Sequence, residues 1–120
     1  MPFNGEEEAS DAQAEARRRR VFPRRVRHIR DSYDVDTRST IEKALRNLME
    51  LAEEAHRLAT SKYQPTEDRQ RWARIEAYIY QTINSLAKTR DSQTIEERLE
   101  ELTRNVDKLM AEGQESREEG

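Results

Sequence analysis

No glycine stands between Gly5 and Gly113, and within that span the only prolines are Pro23 and Pro65. Tight hairpin turns need residues that tolerate a positive φ, and glycine is the main supplier. A chain so poor in glycine therefore favours helices joined by short links over a meander of strands. At 120 residues it has the length of one domain, and its 39% charged and 33% hydrophobic residues fit a polar but foldable chain. The expected fold class is all-α.

Apolar periodicity locates the helices. In STIEKALRNLMELAEEAHRLATSK, residues 39–62, Ile41, Leu45, Leu48, Ala52, Ala55 and Ala59 recur at spacings of four and three. Ala44, Met49, Leu51 and Leu58 widen the stripe to about half the circumference, and Ser39 with Glu42 has capping-box spacing. The stretch YQPTEDRQ predicts a break at Pro65, with Thr66 as the cap of a second helix over 67–90. There Trp72, Ile75, Ile79, Ile83 and Leu86 share a face flanked by Tyr78 and Tyr80. A third helix over 94–112 opens on Thr94 and Glu97, a second capping-box pair. It continues as a narrow seam of Ile95, Leu99, Leu102, Val106 and Leu109. The tail 113–120 is expected to be disordered.

The expected architecture is thus three long amphipathic helices in an antiparallel hairpin or bundle over 39–112, preceded by a short basic helix or arm. The apolar arc of the second helix is too broad for one neighbour. This predicts a homo-oligomer or a related helical partner, with Trp72, Ile75, Ile79 and Tyr80 at a subunit contact or multi-helix core and Leu99 and Leu102 of the third seam also at the interface; a monomeric three-helix bundle is the alternative.

Charge is distributed unevenly. Residues 1–16 hold five acids and no base, and read as an acidic extension, flexible or helical. Residues 17–30, RRRRVFPRRVRHIR, hold eight of the eighteen arginines and no acid, in a chain whose formal net charge is −3. Within this segment Phe22, Val26, Ile29 and Tyr33 recur at helical spacing inside an arc of about 60°. That pattern predicts a short basic amphipathic helix over 23–33, with Pro23 in its first turn, and docks Phe22, Val26 and Ile29 on the bundle or on a second subunit. Arg17–Arg20 would end an alanine-rich helix or form part of a disordered arm.

No motif for catalysis accompanies these features. His28 and His56 lack the spacing of a paired metal site, and no cysteine is present, so no metal or other cofactor is expected. Asp31, Asp34 and Asp36 lack the glycine and final glutamate of a calcium loop and read as an acidic turn within 17–38. Arg38, Arg46, Arg57, Glu50 and Glu54 are catalytic candidates in number only, and Arg46, Glu50, Glu53 and Arg57 have the 3–4 spacing of an exposed ion-paired face. Tyr63, Trp72, Tyr78 and Tyr80 are aromatic groups that stack on bases in some nucleic-acid proteins, Tyr80 being the best placed for exposure. The expected protein is non-enzymatic.

Arginine clustering on one helix is the electrostatic footprint of phosphate neutralisation. The candidate nucleic-acid contacts are Arg17, Arg18, Arg19, Arg20, Arg24, Arg25, Arg27, His28 and Arg30, acting with little base specificity and on DNA in preference to RNA. An acidic protein surface and an anionic membrane surface are the competing partners for the same charge. The chain lacks a run of apolar residues long enough to span a bilayer, and the absence of cysteine fits a cytoplasmic location.

Residues 17–90, chiefly RRRRVFPRRVRHIR followed by two long helices, resemble coat proteins of filamentous viruses that infect thermophilic archaea. The resemblance implies helical dimers or heterodimers that wrap DNA with basic arms, and hence a capsid role in a virion. The acidic first sixteen residues and the third long helix fall outside that pattern.

Overall fold

Helix α1 runs unbroken from Gly5 to Ser32 and carries Pro23 in its interior. The computed structural model describes residues 5–32, 38–89 and 91–119, with side chains for 10–32, 41–89 and 91–114. Tyr33, Asp34 and Asp36 of the acidic turn, the side chains of Arg38 and Ser39, and Arg90 lie outside the described residues. Three further helices follow: α2 from Arg38 to Ala59, α3 from Thr66 to Lys88, and α4 from Ser92 to Glu119. Among the described residues there is no strand, and none of the helices is long and apolar enough to cross a membrane.

The helices form a four-membered ring in which α1 adjoins α2 and α4, and α3 adjoins the same two. Residue pairings show that all neighbours are antiparallel. His56 of α2 meets Glu76 of α3, Arg18 of α1 meets Glu54 of α2, Arg27 of α1 meets Asp107 of α4, and Arg71 near the start of α3 meets Gly113 near the end of α4. The result is an up-down-up-down bundle measuring 55 × 35 × 19 Å.

One core runs through all four helices. Phe22, Val26 and Ile29 of α1 are buried with Leu48, Leu51, Ala55 and Leu58 of α2. Trp72, Ile75, Ile79 and Leu86 join from α3, and every residue of the α4 seam, Ile95, Leu99, Leu102, Val106 and Leu109, is buried. The α2 stripe is rotated from the expected one: Ala44, Leu51 and Leu58 are fully inside, Ile41, Leu45 and Ala59 lie at the margin, and Met49 is 54% exposed.

This arrangement revises the expected layout. The basic segment is no separate arm before a three-helix bundle but part of a full bundle helix, which also takes in residues 5–16. Within the single chain the broad face of α3 packs on α2 and α4, with Phe22 of α1 meeting Trp72 across the core, which is the multi-helix core of the two expected settings. Of the residues assigned to an interface, Phe22, Val26, Ile29, Trp72, Ile75, Ile79, Leu99 and Leu102 are buried in this single-chain core, and Tyr80 alone is exposed.

Pro23 sits well inside α1 instead of in a first turn. It has no N–H to offer the Arg19 carbonyl, and an interior proline costs a helix about 3 kcal/mol. Burial of Phe22, Val26 and Ile29, at about 1.5–3 kcal/mol each, offsets that cost.

Helix boundaries also differ in detail. Ser39 lies inside α2 and Thr66 inside α3. The residue flanking α3 is Pro65, whose carbonyl accepts the Arg69 N–H at 3.0 Å, and no side chain caps that end. Helix α4 starts before Thr94, with Asp91 at its head, and continues through the expected tail to Glu119.

Candidate nucleic-acid interface

Burial of Phe22, Val26 and Ile29 fixes which way the rest of α1 points. At about 100° per residue, Arg17, Arg20, Arg24 and His28 fall on the side opposite those three, and all four are exposed. The twelve residues from Arg17 to His28 cover about 16 Å along the axis. Arg25 is exposed on the flank of this ridge that faces α2.

The nine candidate cations divide into two sets. Arg18, Arg27 and Arg30 are engaged within the chain. Arg18 Nε lies 3.7 Å from Glu54 on α2, Arg27 Nη2 lies 3.0 Å from Asp107 on α4, and Arg30 Nε donates to Asp31 at 3.0 Å. Glu54 is itself mostly buried and also faces Arg57 at 3.5 Å. Arg17, Arg19, Arg20, Arg24 and Arg25 make no ion pair among the described residues. Exposed guanidinium groups with no internal partner are the ones available to an external anion. His28 has Ser32 as its neighbour, with the hydroxyl 3.3 Å from Nε2.

Among the described residues, hollows border this helix on both sides. Between α1 and α2 a groove of about 520 Å³ is lined by Arg24, Arg25 and His28, with Asn47 and Glu50 across from them. Between α1, α3 and α4 a cleft of about 610 Å³ takes in Arg19, Arg20 and Pro23 on one side and Arg71 and Trp72 on the other.

Several relationships here had no local signature. Arg27 and Asp107 are 80 positions apart, and nothing near either residue marks the pairing. Neither Arg71 nor Gly113 is marked as part of a site by its own surroundings, although Gly113 continues the α4 seam four residues beyond Leu109. A Cβ at Gly113 would lie 3.1 Å from Arg71 Nη1, so the missing side chain gives the guanidinium its place. Tyr80 is 49% exposed but belongs to α3, diagonal to α1, and is not part of the basic ridge. Trp72, the other stacking candidate, is edge-on to Phe22 in the core with ring centroids 5.0 Å apart.

No family model matches the chain, and comparison with curated proteins and with solved structures finds no match.

Proposed function

We propose that this protein is a non-enzymatic nucleic-acid-binding bundle that holds the phosphate backbone, of DNA in preference to RNA, against the outer ridge of α1. The observation that carries the reading is the set Arg17, Arg20, Arg24 and Arg25: exposed, free of ion pairs among the described residues, and mounted on a helix anchored by Phe22. Phosphate contacts of this kind position a protein without reading sequence. Helices α2 and α4 flank α1, so it meets a duplex as a ridge and not as a free helix sunk into the major groove. Little base specificity follows. A rigid ridge also suits the regular phosphate ladder of a duplex better than a flexible single strand.

The test is anisotropy of labelled duplex DNA, single-stranded DNA and RNA across a salt series. Four phosphate contacts give a log–log slope of about −3 to −4 on duplex DNA, at about −0.9 per contact. The Arg17→Ser, Arg20→Ser, Arg24→Ser triple variant should bind unrelated duplexes more weakly by similar factors and flatten the slope to about −1. Unchanged binding by that variant would remove the ridge from the mechanism. Failure to bind all three polymers would transfer the ridge to an acidic protein partner. Saturating, regularly spaced coverage of long duplexes would instead support the coat-protein reading, achieved by rigid subunits side by side because residues 17–30 are built into the bundle.

A further inference from the structure

The cleft between α1, α3 and α4 combines an apolar interior with a cationic entrance. Trp72, Ile75 and Leu109 are its buried apolar side chains, while Pro23 and Met110 are half-buried. Its volume of about 610 Å³ falls within the range of small-molecule sites, about 300–1,000 Å³. Arg19 and Arg20 line the same cleft, one half-buried and one exposed, and neither has an ion pair among the described residues.

A third guanidinium, Arg71, is held differently. It pairs with Asp68 one helical turn earlier on α3, and both side chains are largely buried. Gly113 leaves the space that Arg71 occupies against α4. Three cations and one carboxylate therefore line a cleft whose deeper wall is hydrocarbon and indole. Such a combination selects against neutral apolar molecules, which leave Arg19 and Arg20 without anionic partners, and against cations.

We infer that this cleft binds an amphipathic organic anion, its apolar body against Trp72, Ile75 and Met110 and its carboxylate or similar head group on Arg19 and Arg20. The site goes beyond phosphate binding by the outer ridge and does not require it, although Arg20 borders both.

Trp72 is the only tryptophan in the chain, so its emission reports on the cleft wall without a label. The experiment titrates the intact protein with decanoate and decyltrimethylammonium below their micelle-forming concentrations and with decanol below its solubility limit. The expected result is a saturable one-site change with decanoate and binding at least about tenfold weaker for the other two, as two lost charge-assisted hydrogen bonds require. Arg19→Ser combined with Arg20→Ser removes exposed or half-exposed charge and should reduce the preference for decanoate over decanol to about twofold or less. Gly113→Leu should abolish binding by filling the cleft and displacing Arg71, with circular dichroism reporting whether the bundle stays helical. Equal affinity for the three probes, a linear response without saturation, or a decanoate preference that survives loss of both arginines would each overturn the assignment.

Discussion

Arg27 Nη2 lies 3.0 Å from Asp107 Oδ2, tying the basic helix to α4 through a pair that is nearly half exposed on both sides. An ion pair so open to water contributes about 0–1 kcal/mol. Its larger consequence is for the ridge, because it withdraws one arginine from external anions. Asp107→Asn should leave thermal unfolding nearly unchanged while tightening duplex DNA binding. The salt slope should steepen by about 0.9, one additional phosphate contact. Anisotropy titrations of the two proteins at matched salt check this, and an unchanged slope would show that Arg27 does not reach the polyanion even when released.

Phe22 tests whether the ridge depends on the core beneath it. Its ring is fully buried and meets Trp72 edge-on at an interplanar angle of 77°. Phe22→Ala should cost about 3–5 kcal/mol through lost burial and a residual cavity. Urea unfolding followed by Trp72 emission and by circular dichroism measures that loss. DNA affinity should also fall although all eight arginines of the segment remain, because α1 is no longer held in one orientation.

The core was largely legible because each helix repeats its apolar residues at a spacing that geometry forces onto one face. The α4 seam is the clearest case: all five of its residues are buried. The charged surface was less so. Counting arginines in residues 17–30 locates the basic helix but cannot tell Arg24, which faces outward with no ion pair among the described residues, from Arg18 or Arg27, whose partners Glu54 and Asp107 come from distant helices. Pro23 was misplaced for a related reason. Local propensity ends or starts a helix at proline, and tertiary burial of Phe22 and Val26 overrode it. Gly113 read as the start of a tail because its partner, Arg71, is visible only once α3 and α4 are side by side.

Pro23 gives a prediction of opposite sign to Phe22. Alanine restores the N–H that α1 lacks toward the Arg19 carbonyl and removes the ring's clash with the preceding turn. Pro23 is only half-buried, so little packing is lost. Pro23→Ala should raise stability by about 1–3 kcal/mol, seen as a higher urea midpoint with an unchanged slope. A lower midpoint would mean that packing of the Pro23 ring outweighs the restored N–H.

Asp91 gives the bundle one identifiable acid dependence. The Thr94 hydroxyl donates to its carboxylate at 2.7 Å, and the Ile95 N–H donates to its backbone carbonyl at 3.1 Å. The hydrogen bond from Thr94 is the main cause holding the Asp91 carboxyl below its ordinary value; slight desolvation opposes it, and the N–H groups of Gln93 and Thr94 reinforce it. The folded state thus binds this proton less readily than the unfolded chain does, and stability rises with pH across the interval between the two values. The contribution is fully present above the unfolded aspartate value, about 3.9, and is lost as pH falls through the lower folded value. Carboxyl carbon shifts recorded through an acid titration should show Asp91 titrating below the ordinary aspartate range. Thr94→Val removes the hydroxyl donor and should move that midpoint upward, and Asp91→Ala should flatten the same acidic stretch of the stability profile. An Asp91 midpoint at the ordinary value in the unaltered protein would show that these hydrogen bonds do not hold the head of α4 in solution.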